Sequence, residues 1–143
     1  MPVFQFVAVL AATLFTGAAI YINVAEHPAR MECGTALAAT VFGPSYRRAA
    51  VMQAALALVA AAGAIGAWFV GAGVAWLVGA LLIFAVVPFT IFAIMPTNKK
   101  LLDPGIDSTS DTVHRLLQHW GRLHAVRSAL GLASSIVLLA SLV

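Results

Sequence analysis

The chain has 143 residues, 62% of them hydrophobic, and carries eight lysines and arginines against five acids, 9% charged in all. An ordinary soluble domain carries roughly 25% charged residues and a disordered chain is poor in hydrophobic ones, so both classes are excluded and the bilayer is the expected solvent. The net charge of +3 comes from a scarcity of acids rather than a basic stripe, which argues against nucleic acid; the single cysteine, Cys33, excludes an intrachain disulfide, a CxxC redox pair and a cysteine zinc cage.

Every charge falls within residues 26–48 or 99–127, which leaves uncharged blocks at 1–25, 49–98 and 128–143. One helical crossing of a hydrocarbon core about 30 Å thick takes about 20 residues. The first block is therefore one crossing and the second is two. The start, MPVFQFVAVLAATLF, lacks the basic region of a cleaved signal and is kept as the first helix. His27-Pro28 is expected to end that helix, residues 29–41 to form a short helix at the interface, and Gly43-Pro44 to start the second. The second turns into the third near Phe69–Gly73, between Trp68 and Trp76, which suit an interface. Pro88 predicts a bend in the third helix, freeing the carbonyl of Phe84, and is either a structural kink or the opening of a cavity. Asp103-Pro104-Gly105 reads as a turn, and Ser108-Thr109-Ser110-Asp111 fits a capping box, so the fourth helix starts near Thr109, outside the bilayer.

These elements predict an all-α, integral membrane four-helix bundle in a single domain spanning 1–143, with helices near 3–26, 45–68, 73–95 and 109–142. Small residues at Gly71, Ala75 and Gly79 and at Gly131 and Ser135 allow close packing. Both charged loops emerge on one side and hold all eight lysines and arginines, so that side is expected to be cytoplasmic, with both termini opposite.

Reactive side chains converge at the charged end. Glu26 and His27 close the first helix; Tyr46, Arg47 and Arg48 open the second; Asn98 follows the third; His114, His119, Trp120, His124 and Arg127 lie along the fourth. Trp120, His124 and Arg127, spaced i, i+4, i+7, share one helical face that runs from the interface into the bilayer. Arg127 there needs a partner or a route to water. An acid at a helix C-terminus meets the negative end of the dipole, so Glu26 needs a cation: Arg47, Arg48, Arg30, Arg127 or a metal ion. The plain alternative is that these residues are interfacial anchors, with arginines snorkelling and Tyr46 and Trp120 in the aromatic belt. Glu26, His27 and His124 are the candidate metal set, although no HExxH spacing occurs and adjacent residues point about 100° apart on a helix. Haem between two histidines is disfavoured, because the second and third helices hold no histidine.

The strings FTGAAIYINVAEHPAR at 15–30, YRRAAVMQ at 46–53, PFTIFAIMPTNKKLL at 88–102 and WGRLHAVR at 120–127 resemble the anthrone-oxygenase-like family of small four-helix membrane proteins. The resemblance covers nearly the whole chain. It implies oxygenation of a hydrophobic polycyclic phenol, an anthrone becoming an anthraquinone, with O2 and without an evident organic cofactor; no glycine-rich dinucleotide fingerprint occurs, so neither flavin nor nicotinamide is expected. On that reading His124 or His27 is the base, Arg47 and Arg127 stabilise the enolate oxygen and a developing peroxide, and Asn98, Trp120, Tyr46 and Glu26 surround the ring. The substrate is a hydrophobic small molecule reached from the lipid, and a homo-oligomer is left open. The alternatives are a non-enzymatic membrane protein that binds a lipid, quinone or partner helix, and a metal-dependent membrane oxidoreductase. A transporter is disfavoured, because the 49–98 block holds no charge for a polar path.

Overall fold

The structure is a computed structural model that describes residues 2–143. Four long helices account for most of it: α1, Pro2–Glu32; α2, Thr35–Phe69; α3, Val74–Leu101; and α4, Asp111–Ala140. No strand occurs among the described residues. Each helix is long and apolar enough to cross a membrane, and large apolar side chains such as Phe6, Phe69 and Phe92 face outward. The chain is thus an all-α, multi-pass membrane protein. Consecutive helices pack side by side and α1 also packs on α4, which closes the ring.

At about 1.5 Å per residue, α1 and α2 are roughly 45 and 50–55 Å long, well beyond a hydrocarbon core of about 30 Å. Their excess lies at the charged end. This corrects the expected course of residues 26–48. The segment 29–41 is not a separate interfacial helix: α1 runs on through Glu26 and His27 to Glu32, and α2 begins at Thr35. The break falls at Gly34, whose φ of 98° is open to glycine at little cost. Pro44 lies inside α2 rather than at its start.

The prolines leave their marks elsewhere. A proline ring clashes with the carbonyl four residues back and donates no hydrogen bond to it. Two widened π-helical turns, Ile22–Glu26 and Thr90–Ile94, each end two residues before a proline, Pro28 and Pro96. In each case the carbonyl four residues back, of Val24 or Phe92, lies in the wide turn. The wider turn accommodates the ring without ending the helix. Pro88 acts more sharply: the first α-helical run of α3 ends at Phe84, four residues ahead of it, and resumes at Val86. The fourth helix is capped by Ser110, whose Oγ accepts from the Val113 amide at 3.2 Å. This is a simple serine cap, one residue later than the expected start and without the reciprocal acidic partner of a capping box.

The core divides into two clusters. One, toward the chain termini, is dominated by alanine, with Phe15, Trp76, Ile83 and Leu138 among the larger members. Backbones approach closely here: a Cβ on Gly63 would lie 2.9 Å from the Ala8 amide nitrogen, and one on Gly131 would lie 2.9 Å from the Phe15 ring. Between lipid-solvated helices such contacts stabilise by dispersion and by short hydrogen bonds rather than by transfer from water. Thr16 and Ser135 share one such bond at 2.9 Å, and Ser134 donates to the Gly79 carbonyl at 2.8 Å. The second cluster, at the charged end, is built from Phe42, Ile94, Leu117, Trp120 and other large side chains. The polar site lies where the two clusters meet.

Candidate functional site

His124 is buried in α4, and its orientation is set from α1. The Asn23 amide donates from Nδ2 to the Gly121 carbonyl at 3.0 Å, which fixes which end of the amide is oxygen. Asn23 Oδ1 then accepts from His124 Nδ1 at 2.9 Å and from Ser128 Oγ at 2.6 Å. With Nδ1 as the donor, neutral His124 keeps a lone pair on Nε2. Asn23 sits in the first π-helical turn. The wide turn made for Pro28 thus carries the side chain that orients the histidine.

Trp120 is the hub of the aromatic groups. His27 lies 5.1 Å from it, Phe42 meets it edge-on at 5.3 Å and 87°, and His124 tilts over it at 4.8 Å. His27 Nε2 donates to the Leu117 carbonyl at 3.0 Å. It reaches that carbonyl because Gly121 has no side chain: a Cβ there would lie 2.9 Å from the imidazole.

Arg127, one turn below His124, is partly buried. One Nη donates to Gln53 Oε1 at 3.0 Å, and the guanidinium lies 5.7 Å from the Phe15 ring centre. Its Nε, Gln53 Nε2 and Trp120 Nε1 are enclosed without a hydrogen-bond partner. Among the described residues the only ion pair joins Arg30 to Glu26, at 3.0 Å. Arg127 therefore has amide and aromatic neighbours but no counter-charge.

These residues surround a small cavity of about 30 Å³ with a mixed lining, formed by Arg30, Tyr46, Gln53, Trp120, His124 and Arg127 together with Ile22, Phe42, Ser45, Ala49 and Ala50. That is room for about two water molecules. Tyr46, Ala50, Gln53 and Arg127 also line a larger, mainly apolar slot of about 220 Å³ between α2 and the broken part of α3. The two spaces share a wall with Arg127 in it. Together they are smaller than the roughly 300–1,000 Å³ of an ordinary ligand pocket.

The expected site residues separate into those at the cavity and those away from it. His124, Trp120, Tyr46 and Arg127 line it. His27 instead faces an outer groove with Asn23, His114 and Arg122, behind Trp120. Arg47 is exposed, with its guanidinium against Gly43, and does not line the cavity. Asn98 is fully buried with both side-chain heteroatoms unpartnered, but it lines neither the cavity nor the slot. Glu26 does not end a helix, and its cation is Arg30, which also donates to Ser45 at 2.7 Å. Glu26, His27 and His124 do not meet as a metal set: the first is held by Arg30, the second by Leu117 and the third by Asn23. Among the described residues no three His, Cys, Asp or Glu side chains gather to hold a metal ion.

Asn23, Gln53, Ser128 and Arg30 also stand at the candidate site, although the sequence singles out none of the first three and presents Arg30 only as an anchor or as a cation for Glu26. Gln53 and Asn23 had a usable signal, since each is a polar side chain in an uncharged block where an unpaired amide is expensive.

Residues 40–137 match the family described as anthrone oxygenase, a span that runs from within α2 to near the end of α4. No curated protein matches the chain, and no solved structure does.

Proposed function

The chain belongs to the anthrone oxygenase family, and on that premise we propose that it is a membrane-embedded oxygenase acting on a lipophilic cyclic phenol or anthrone-like substrate with O2. The observation that carries the reading is Arg127, a cation without a counter-anion in the wall between the small cavity beside His124 and the apolar slot. A partly buried charge left unpaired is costly. An anionic oxygen on a greasy body supplies what Arg127 lacks.

The chemistry follows from the groups at hand. His124 Nε2 takes a proton from the activated CH2 of the substrate, leaving an enolate whose oxygen lies against Arg127 and Gln53. The electron-rich carbon reduces O2 and forms a carbon–oxygen bond, giving a peroxide anion that takes the proton back from His124. Loss of the second CH2 hydrogen as a proton, with cleavage of the O–O bond, leaves a carbonyl and hydroxide, which becomes water. The balance is CH2 plus O2 to C=O plus H2O: the carbon loses four electrons and O2 gains four. Asn23 is a positioning residue in this scheme, since it holds His124 in the tautomer that leaves Nε2 free. The charged end, with its site, is assigned to the cytoplasmic side by the positive-inside rule.

Purified protein in lipid nanodiscs, given anthrone and ¹⁸O2, tests the reading against the spontaneous reaction in empty discs. The expected result is enzyme-dependent product with one ¹⁸O in the new carbonyl and the other in water. No rate above empty discs with any phenolic substrate overturns it in favour of a lipid- or quinone-binding protein.

A further inference from the structure

We propose that the slot between α2 and α3 is a lateral portal through which a flat ring system passes from the bilayer to Arg127, and that Ala54 sets the width it admits. This deepens the proposed function, since it rests on the same site, but it concerns binding and does not need turnover.

The slot exists because two helices are unusual along the same stretch. On α2, Ala50, Ala54 and Ala57 are spaced i, i+4, i+7 and present methyl groups along one side of the slot. Facing them, α3 is broken after Phe84 and widened at Thr90–Ile94, and Val87, Thr90 and Ile91 of that stretch line the other side. The Thr90 hydroxyl is turned onto its own helix, donating to the Val86 carbonyl at 2.7 Å, so the wall stays apolar. The outer end opens on the lipid side: Ala54 is exposed, and Ile91 is 52% exposed. At the inner end stand Tyr46, Gln53 and Arg127.

An apolar passage that starts in hydrocarbon and ends at a lone guanidinium selects an elongated apolar body with an anionic oxygen at one end. A water-soluble anion has no apolar path to Arg127 through this slot. An uncharged hydrocarbon gains nothing at the inner end.

The test uses 9-anthracenecarboxylate, a fluorescent flat three-ring anion, titrated onto the intact protein in phosphatidylcholine nanodiscs with empty discs subtracted. Saturable binding is expected. Ala54→Phe, which fills the slot from its exposed side, is expected to weaken it by about tenfold or more. Ile91→Trp, from the opposite wall, provides the same test if the first variant does not fold. Leu58→Phe is the control, because Leu58 is exposed on α2 and does not line the slot. Arg127→Gln weakens the carboxylate but leaves uncharged anthracene unaffected. Brominated acyl chains are expected to quench the bound dye. Absence of saturable binding, unchanged binding in both slot variants, equal loss in the control, or a bound dye that bromine does not quench each overturns the portal. Wild-type protein that binds the dye through the slot but consumes no O2 refutes the oxygenase reading and leaves the portal standing.

Discussion

The two halves of this bundle use opposite packing strategies. Toward the termini the helices touch through alanine and glycine, with Gly63 against the Ala8 backbone and Gly79 against Leu138. At the charged end the core is built from phenylalanine, tryptophan and leucine, two helices contain π-helical turns, and α3 is broken. Alanine and glycine let the helices close up toward the termini, whereas the cavity and the slot open beside the widened and broken turns. The tight half fixes the bundle, and the candidate site lies in the irregular half.

That division predicts different failures. The largest effect belongs to Gly63→Val. Its Cβ would lie 2.9 Å from the Ala8 nitrogen and 3.1 Å from the Phe4 carbonyl oxygen, and backbone cannot step aside as a side chain does. Thermal unfolding in detergent should show a destabilised bundle, about 1–3 kcal/mol or more for an overpacked site, with loss of activity following loss of fold. His124→Ala removes the proposed base instead: the expected outcome is a turnover about 10²–10⁴-fold lower with the melting temperature close to wild type. Asn23→Ala frees the imidazole without deleting it, so the rate loss is smaller than for His124→Ala. The proton NMR signature of the His124 ring should change, which a purely structural role elsewhere in α1 would not cause. Ser134→Ala loses one hydrogen bond to Gly79 in the tight half and costs only about 0.6 kcal/mol, with no change in rate. A large rate effect there would break the proposed separation of the two halves.

The four-helix arrangement was legible because it depends on where charge is absent, and three uncharged blocks suffice to place the crossings. Local geometry around proline was less so. His27-Pro28 reads as a helix end, but a π-helical turn absorbs the proline and carries α1 onward; Gly43-Pro44 reads as a helix start, but Gly34 is where the chain reverses. Of the site, the face of Trp120, His124 and Arg127 was visible as spacing, since one helix sets it. Asn23 and Gln53 were not singled out, because their roles come from pairings across 101 and 74 residues of sequence. His27 and Arg47 looked eligible by composition, but Gly121 makes room for His27 away from the cavity, and Arg47 is exposed.

Arg127 has no counter-charge among the described residues, and in the proposed function a substrate anion supplies it. Arg127→Gln removes the cation together with its hydrogen bond to Gln53 and leaves a shorter, uncharged amide, so O2 uptake with anthrone in nanodiscs is measured beside the melting curve. The expected result is a rate loss of about 10²–10³-fold with the bundle as stable as wild type, or more so once the unpaired charge is gone. A variant that turns over at the wild-type rate, or that simply unfolds, contradicts it.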